Sequence, residues 1–249
     1  MIAAPAAATT GRKAAASADK SLIVAMITAM PNAAPVDWTS VETVFLDMDG
    51  TLLDLAFDEW FWRELIPRHY AARHGLTEAA ARAVLEPKFQ AVIGTMDWYC
   101  IDHWTRALAL DVRALKRAHV DEIRYLPGAE EFLSRLRGLG KRVVLVTNAH
   151  PETLAIKDER VALTRHFHAV YSSHPLGAPK EHPQFWPRLG RLEPFDASRT
   201  LFVDDSLPVL ESARRHGIGC LRAVRRPDTR RGPKDTGAFI GVDRVIDLL

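Results

Sequence analysis

The sequence predicts an α/β fold in which a parallel sheet is covered by helices on both faces. Five short apolar runs alternate with helical patterns along the chain, at residues 41–46, 143–146, 169–172, 201–203 and 220–224. This alternation is typical of strands joined by crossover helices. A chain of 249 residues can form one large core with a modest insertion. In sheets of this kind, ligands bind beyond the carboxyl ends of the strands.

A pair of carboxylates, Asp47 and Asp49, directly follows the first predicted strand. Both can reach one pocket if the chain leaves extended geometry just after Asp47, and Gly50 gives the backbone freedom for that turn. Two carboxylates at a strand end suit a nucleophile beside a proton donor, or a metal site. The sequence therefore predicts a functional site at this edge of the sheet.

Polar residues also follow the next three predicted strands. They are Thr147 and Asn148 after the second strand, Lys180 in the loop after the third, and Asp204 and Asp205 after the fourth. Because the carboxyl ends of parallel strands lie along the same edge of a sheet, one crevice can collect all of these side chains.

The order of these groups, an acid pair, a threonine, a lysine and a second acid pair, resembles the haloacid dehalogenase (HAD) superfamily, most of whose members are phosphatases. The resemblance implies a Rossmann-like HAD core with a parallel sheet. Residues 53–58, 61–62, 97–100, 147–151 and 202–206 are further similar to the bacterial GMP/IMP 5′-nucleotidases. That similarity extends from about residue 38 to about residue 224, and it implies a purine mononucleotide substrate.

A long helical segment, residues 57–124, separates the first motif from the second. In the HAD family an insertion at this point is a helical cap that closes over the site. We therefore expect a catalytic core formed by residues 37–56 and 125–249, with 57–124 as the inserted cap. Residues 1–36 are rich in Ala, Thr, Pro and Ser and predict a disordered tail. A signal peptide and a later translation start at Met26 or Met30 are the alternatives.

The resemblance also implies a role for each motif residue. Asp47 is expected to attack phosphorus and form an aspartyl-phosphate, which water then hydrolyses. Asp49 is expected to protonate the leaving oxygen and later to activate that water. Thr147 and the backbone N–H of Asn148 are expected to hold phosphoryl oxygens, while Lys180 balances the charge of the nucleophile and the phosphate.

Charge at the predicted site indicates a divalent cation. Asp47, Asp204 and Asp205 beside a phosphate carry a total charge of about −5, and a single lysine offsets little of it. An all-oxygen site that includes a phosphate suits Mg²⁺. The expected ligands are Asp47, Asp204 and the backbone carbonyl of Asp49, with Asp205 bound directly or through water.

Several other polar residues near the motifs fit structural roles. Asp54 and Asp58 are typical of turn or cap residues, and Ser206 of the N-cap of a helix. Three histidines flank the motif loops: His150, His174 and His182. Since they lack metal-ligand spacing and adjacent cysteines, we expect them at the surface or behind the residues that contact substrate.

Aromatic residues are concentrated in the predicted cap: Trp60, Phe61, Trp62, Trp98 and Tyr99. Packing in the cap interior is the expectation for any one of them. One or two are expected to line a base pocket, where stacking contributes about 1–3 kcal/mol per base. The arginine-rich stretch 221–234 predicts a solvated, mobile loop rather than a nucleic-acid-binding patch, because interleaved aromatics are absent and Pro and Gly interrupt it. Residues 239–249 predict a last short element packed on the core.

Composition argues against several classes of protein. A net charge of +2 is too small for a fold that binds nucleic acid electrostatically. Two cysteines, Cys100 and Cys220, offer at most one disulfide and favour a reduced, cytoplasmic protein. No apolar run approaches the roughly 20 residues that a membrane span requires.

The sequence therefore favours a Mg²⁺-dependent purine 5′-nucleotidase that hydrolyses a small phosphomonoester. The alternatives are a HAD phosphatase on a sugar phosphate or phosphoglycolate, a phosphomutase, and a non-catalytic binding module. The intact motifs argue against the binding module. Asp49 argues against a dehalogenase, because a halide leaves without needing a proton.

Overall fold

The structure is a computed structural model that describes residues 35–249. The predicted tail, apart from residues 35 and 36, lies outside the described residues, as do Met26 and Met30. A six-stranded sheet in the order β3-β2-β1-β4-β5-β6 forms the centre, and every neighbouring pair of strands is parallel. Its strands are β1 (Thr43–Leu46), β2 (Arg142–Thr147), β3 (Ala169–Ser172), β4 (Thr200–Asp204), β5 (Cys220–Val224) and β6 (Gly241–Val242). The five predicted strands and the parallel α/β fold are thereby confirmed.

Helices cover the sheet and form the long insertion between β1 and β2. In the insertion they are α1 (Ala56–Trp60), α2 (Ile66–His74), α3 (Glu78–Gln90), α4 (Met96–Tyr99), α5 (Ile101–Leu108) and α6 (Val112–Ala118). A π-helical turn, Phe61–Leu65, joins α1 to α2. The remaining helices are α7 (Ala129–Leu136), α8 (Pro151–Val161), α9 (Ser173–Leu176), α10 (Phe185–Leu192) and α11 (Leu207–Arg215). None of the helices in residues 35–249 is long and apolar enough to cross a membrane.

The central strands are buried along their whole length, which explains why they read as continuous apolar runs. All four residues of β1 and all five of β4 are buried. On one face of the sheet, Trp186 of α10 packs against Phe45 and Phe202, with ring centroids 6.3 and 5.0 Å away. Large aromatic side chains of this kind contribute about 3–5 kcal/mol each when fully buried. The core thus fixes β1 and β4 side by side.

The insertion leaves and rejoins the core at neighbouring points. The backbone N–H of Asp54 donates to the carbonyl of Arg124 at 2.9 Å, and that of Leu126 donates to the carbonyl of Leu52 at 2.8 Å. Both connections therefore lie just beyond the turn that follows β1. The helices between them bury a core of their own, which includes Phe61, Leu85, Ile101 and Trp104.

The arginine-rich loop after β5 makes contacts that the sequence did not predict. It is partly exposed, as expected, but ion pairs fix it against the insertion and the motif loops. Arg231 donates to Glu59 of α1 at 2.7 Å, Arg230 donates to the carbonyl of Ala56, and Asp228 is buried. The predicted exposure is confirmed and mobility stays a prediction, whereas the contacts to Glu59 and Ala56 were not predicted because these residues are distant in sequence. Residues 241–248 add β6 and a 3₁₀ turn, which confirms a short last element on the core.

Candidate active site

A buried lysine joins two of the predicted carboxylates at the carboxyl ends of β1 and β4. Lys180 Nζ donates to Asp204 Oδ2 at 2.7 Å, to the carbonyl of Val146 at 3.1 Å, and to Asp47 Oδ1. All three charged side chains are at most 8% exposed. Because β1 and β4 are neighbours in the sheet, Asp47 and Asp204 are brought together by backbone pairing alone.

Burial and the lysine act in opposite directions on these carboxyl groups. Burial raises the pKa of Asp47 to about 6, although the charge of Lys180 opposes the rise. Burial likewise raises the pKa of Asp204. Burial works to lower the pKa of Lys180, but Asp204 and Asp47 outweigh it and the pKa is raised. The lysine is therefore a fixed positive charge beside Asp47.

The second acid of the β4 pair, Asp205, is held by Gly50 and by a lysine from the loop after β5. Gly50 has φ +83°, and a Cβ built on it would lie 2.8 Å from Asp205 Cγ. Lys234 Nζ lies 2.8 Å from Asp205 Oδ2. Only glycine permits both the positive φ and this close approach. No spacing rule links Lys234 to Asp205, which lies 29 residues away in sequence.

Asp47, Asp204 and Asp205 fit a hard divalent cation. Each offers a carboxylate oxygen, and these oxygens lie within 4.8 Å of one another. All-oxygen donor sets with several carboxylates suit Mg²⁺. Two lysines instead of one now face the three carboxylates. When a phosphate of about −2 enters, the net charge of the three carboxylates, the two lysines and the phosphate is about −3. A cation is therefore still needed.

The loop after β2 brings Thr147 and Asn148 to the same crevice. Both side chains are buried. Thr147 Oγ1 accepts from the N–H of Ala149 at 3.0 Å, which closes a tight turn. Asn148 Oδ1 accepts from the N–H of Lys180 at 2.9 Å, and its Nδ2 donates to Glu181 Oε2 at 2.9 Å. The amide side chain thus fixes the lysine loop, while Tyr99 of the insertion donates to the other oxygen of Glu181 at 2.9 Å.

Asp49 belongs to a chain of alternating charges that the sequence did not indicate. Lys157 Nζ of α8 lies 2.6 Å from Asp49 Oδ1 and also bonds Asp58 Oδ2. Lys116 of α6 donates to Asp58 Oδ1 at 3.0 Å. The assignment of Asp58 to a turn or cap was therefore wrong. Asp54 does serve a turn, since it accepts from the N–H of Ala56 at 3.0 Å.

The two lysines act mainly on Asp58. Burial opposes its ionisation, but Lys157 and Lys116 outweigh burial and lower the pKa of Asp58 to about 2. Asp49 differs: burial raises its pKa to about 6 against the effect of Lys157, with a further rise from Asp58 and Asp47. Asp49 can consequently exchange a proton near neutral pH, whereas Asp58 stays ionised.

A cavity of about 610 Å³ is lined both by the motif residues and by the insertion. Of the predicted aromatics, Trp62, Trp98 and Tyr99 line it. Phe61 is instead fully buried under the Lys116 ammonium, and Trp60 packs edge-on against a histidine ring. Further side chains of α3 and of neighbouring segments also line the cavity, among them Arg82, Leu85, Glu86, Phe89, Arg63 and Trp104.

The predicted histidines and Ser206 occupy mixed positions. His182 is exposed, as expected, and caps its own turn. His150 and His174 pack with ring centroids 4.7 Å apart, and Cys100 lies beside them, although no cysteine is near in sequence. Ser206 stands at the N-cap of α11, but its side chain makes no cap bond there.

The fold and this set of side chains define a hydrolase built on a parallel sheet with an inserted helical segment. The sequence model of the haloacid dehalogenase-like hydrolases matches residues 41–217, so the chain belongs to that family. This confirms the predicted HAD core and the prediction of an enzyme.

Two relatives and one solved structure show where in the family the similarity lies. The chain is 39% identical over 194 residues to the GMP/IMP nucleotidase YrfG of Escherichia coli (strain K12). The aligned region covers 78% of this chain and 87% of the relative. The chain is 29% identical over 188 residues to a phosphoglycolate phosphatase of Mesorhizobium japonicum, covering 70% and 79%. The structure of a HAD phosphatase from Thermococcus onnurineus superposes with a TM-score of 0.68 at 19% identity, covering 84% and 96%.

Proposed function

We propose that this hydrolase is a Mg²⁺-dependent phosphomonoesterase that forms an aspartyl-phosphate and acts on purine 5′-mononucleotides such as GMP and IMP. One observation carries the proposal: a single cavity is lined by Asp47, Lys180 and Asp204 and also by the tryptophans of the insertion. It offers phosphate chemistry in one part and flat aromatic faces in another. The 39% identity to a GMP/IMP nucleotidase supports the purine assignment.

In the first step Asp47 attacks phosphorus while the bond from phosphorus to the ribose oxygen breaks. The departing oxygen needs a proton, and Asp49 is the group that gives it. Its pKa, raised to about 6, leaves a fraction of the carboxyl protonated near neutral pH. Lys180, held between Asp47 and Asp204, keeps the nucleophile ionised and offsets charge on the phosphoryl group.

In the second step water attacks the aspartyl-phosphate and releases inorganic phosphate. Asp49, now deprotonated, takes a proton from this water. Lys157 supports that state because its charge favours the ionised carboxylate of Asp49. Thr147 and the backbone N–H of Asn148 hold the phosphoryl oxygens through both steps, at the loop that Glu181 fixes through the Asn148 amide.

The residues that would hold Mg²⁺ are Asp47, Asp204 and the backbone carbonyl of Asp49, with Asp205 acting directly or through water. When bound, the ion supplies positive charge to the phosphoryl oxygens and the carboxylates around them. Gly50 and Lys234 orient Asp205 for this role. We infer a cap, residues 57–124, that covers substrate bound to the core of residues 37–56 and 125–249.

The lining of the cavity suits a 6-oxopurine. Trp62, Trp98 and Phe89 offer faces on which a base can stack. Arg82 supplies N–H donors for a ring carbonyl, and Glu86 supplies an acceptor for a ring N–H. Guanine and hypoxanthine present that pair at O6 and N1, whereas adenine presents the reverse. A volume of about 610 Å³ is within the range of small-molecule sites.

Phosphate release from a panel of monoesters, with Mg²⁺ and with EDTA, tests the proposal. The panel holds GMP, IMP, AMP, pyrimidine monophosphates, sugar phosphates and phosphoglycolate. Selective, Mg²⁺-dependent hydrolysis of GMP and IMP is expected. Hydrolysis of phosphoglycolate instead would keep the catalytic residues and refute the purine assignment. No hydrolysis by wild type, or unchanged hydrolysis by Asp47→Asn, would refute the mechanism.

A matched pair of tryptophan variants tests the base pocket. Trp98→Ala removes a ring that lines the cavity, whereas Trp60→Ala removes one from the same insertion that packs against His119. Loss of one stacked ring, worth about 1–3 kcal/mol, predicts that KM for GMP rises about 5- to 150-fold in Trp98→Ala. Trp60→Ala is expected to keep the wild-type KM. Equal effects of the two changes would remove the support for stacking.

Both cysteines are free thiols, which supports the cytoplasm as the compartment.

A further inference from the structure

A second cluster of metal-ligating side chains lies beside the motif loops. Cys100 Sγ and one ring nitrogen each of His150 and His174 lie within 4.8 Å of one another. Cys100 precedes α5 in the insertion, whereas His150 precedes α8 and His174 lies in α9. One candidate ligand therefore belongs to the insertion and two belong to the sheet-forming part of the chain.

His174 is the member of this cluster whose ring nitrogens both lack a hydrogen-bond partner. Both of these nitrogens are buried. Such orphaned polar atoms are rare in the interior of proteins. The ring is therefore free of competing hydrogen bonds, and a neutral imidazole keeps one lone pair for a metal ion.

His150 is in the tautomer that a metal ligand with a supporting carboxylate adopts. Its Nδ1 accepts from the N–H of Glu152 at 3.2 Å, and its Nε2 lies 3.7 Å from Asp102 Oδ2. The proton of the neutral ring is therefore on Nε2, toward Asp102, and the lone pair is on Nδ1. Binding at Nδ1 exchanges one long hydrogen bond for a coordinate bond. A carboxylate near the other ring nitrogen is common for metal-bound histidines, and Asp102 lies on that side of the ring, 3.7 Å from Nε2.

Cys100 presents its sulfur at the start of a helix. It stands at the N-cap of the eight-residue helix α5, and its Sγ accepts from the N–H of His103 at 3.4 Å. A thiolate and two imidazoles form a donor set for a borderline-soft cation such as Zn²⁺, unlike the carboxylates that suit Mg²⁺.

We propose that Cys100, His150 and His174 bind a Zn²⁺ ion that fastens the insertion to the core. The thiol proton is released to solvent when the sulfur–zinc bond forms. Three protein ligands leave the fourth position of a tetrahedral ion to water. Because the ligands lie on both sides of the crevice, displacing the insertion would break the bond to Cys100. Bound zinc therefore slows opening of the insertion.

Cobalt titration of the full chain tests the site without relying on catalysis. Protein stripped of metal is titrated with Co²⁺ in excess Mg²⁺, and Zn²⁺ is then added in competition. One equivalent of Co²⁺ is expected to produce a sulfur-to-cobalt charge-transfer band, which Zn²⁺ abolishes. Cys100→Ser is expected to lose the band. The matched control Cys220→Ser, which removes the other free cysteine, is expected to keep it.

Affinity gives a second measure. His174→Ala is expected to weaken Zn²⁺ binding by more than the roughly 10–100-fold typical of losing only a ligand's hydrogen-bond partner. Zinc is also expected to slow alkylation of Cys100 in wild type and to leave the rate at Cys220 unchanged, a result that needs no variant to fold. Absence of the band in wild type, its survival in Cys100→Ser, or equal zinc protection of both cysteines would overturn the proposal.

Discussion

Replacing Lys157 by methionine is the sharpest test of the charge network around the proposed acid and base. The ammonium bonds both Asp49 and Asp58 and is 2% exposed, so methionine keeps the buried stem and removes only the charge. Asp58 keeps its bond from Lys116, whereas Asp49 loses the cation that opposes its protonation. We expect lower stability and a changed pH dependence of turnover.

The expected loss of stability follows from the pKa values. At pH 7 Asp49 can avoid an unpaired charge by binding a proton, and raising its pKa from about 6 to 7 costs about 1.4 kcal/mol. Asp58 forfeits part of the roughly 2.5 kcal/mol that corresponds to lowering its pKa from 3.8 to about 2. The free energy of unfolding should therefore fall by about 2–4 kcal/mol, near the range for breaking a buried ion pair. At about 2–4 °C per kcal/mol, thermal denaturation would detect it easily.

The kinetic signature has a definite sign. Lys157 lowers the pKa of Asp49, so its removal leaves Asp49 protonated up to a higher pH. Protonation of the leaving oxygen is preserved, whereas activation of water is weakened. Rapid-quench measurements with GMP should then show phosphoenzyme accumulating near pH 7, and the acidic limb of kcat should move to higher pH.

An exposed ion pair that joins the two helices carrying Lys116 and Lys157 provides the control. Arg117 of α6 lies 2.6 Å from Glu159 of α8, and both side chains are about half exposed. Arg117→Met should cost no more than about 1 kcal/mol and leave the pH profile unchanged. If Lys157→Met also costs less than about 1 kcal/mol and its profile superimposes on wild type, the proposed coupling to Asp49 is refuted.

Three further changes probe other parts of the site. Gly50→Ala should weaken Mg²⁺ binding measured by calorimetry, because φ is +83° and the new methyl would lie 2.8 Å from Asp205 Cγ; an unchanged affinity would contradict this. Tyr99→Phe removes the 2.9 Å hydrogen bond to Glu181 and should cost about 1 kcal/mol in thermal unfolding, with a higher KM for GMP and a similar kcat; a fall in kcat alone would argue against a positioning role. Without divalent metal, Asp47 should contribute about 3 kcal/mol to a decrease in stability as pH rises from about 4 to about 6, since burial raises the pKa of Asp47 from 3.8 to about 6 and the folded state then binds the proton more tightly. Asp47→Asn should flatten that slope in chemical denaturation at several pH values, and an equally steep slope in the variant would assign the effect to another group.

The strands and the polar residues at their carboxyl ends could be predicted, because they depend on residues that are neighbours in sequence. The apolar runs that become β1 and β4 are each followed at once by carboxylates, so the position of Asp47 and Asp204 at strand ends follows from the residues next to them. Strand pairing then brings them together, as Thr43 and Thr200 begin matched stretches of neighbouring strands. The same holds for Thr147 at the end of β2.

Ion pairs between residues that are far apart in the chain could not be predicted from the sequence. Lys157 is 108 residues from Asp49, and no spacing rule links them. The prediction for Asp58 was wrong for the same reason, since its two lysines come from α6 and α8. Lys234 was assigned to a solvated loop from composition, since its partner Asp205 lies 29 residues away in sequence. Local pattern reports which face of a strand or helix is apolar, but it carries no information on which distant charge lies opposite.

The sequence by itself thus determined the parallel sheet, the family and the motif residues at the strand ends, because strand formation and turn geometry depend on neighbouring residues. Only the tertiary structure decided which side chains set the charge of each carboxyl group. It also decided which aromatics face the cavity, and that Cys100 meets His150 and His174. The physical reason is that electrostatic and packing energies depend on distances in space, and the folded chain brings to within a few ångströms groups that lie far apart along it.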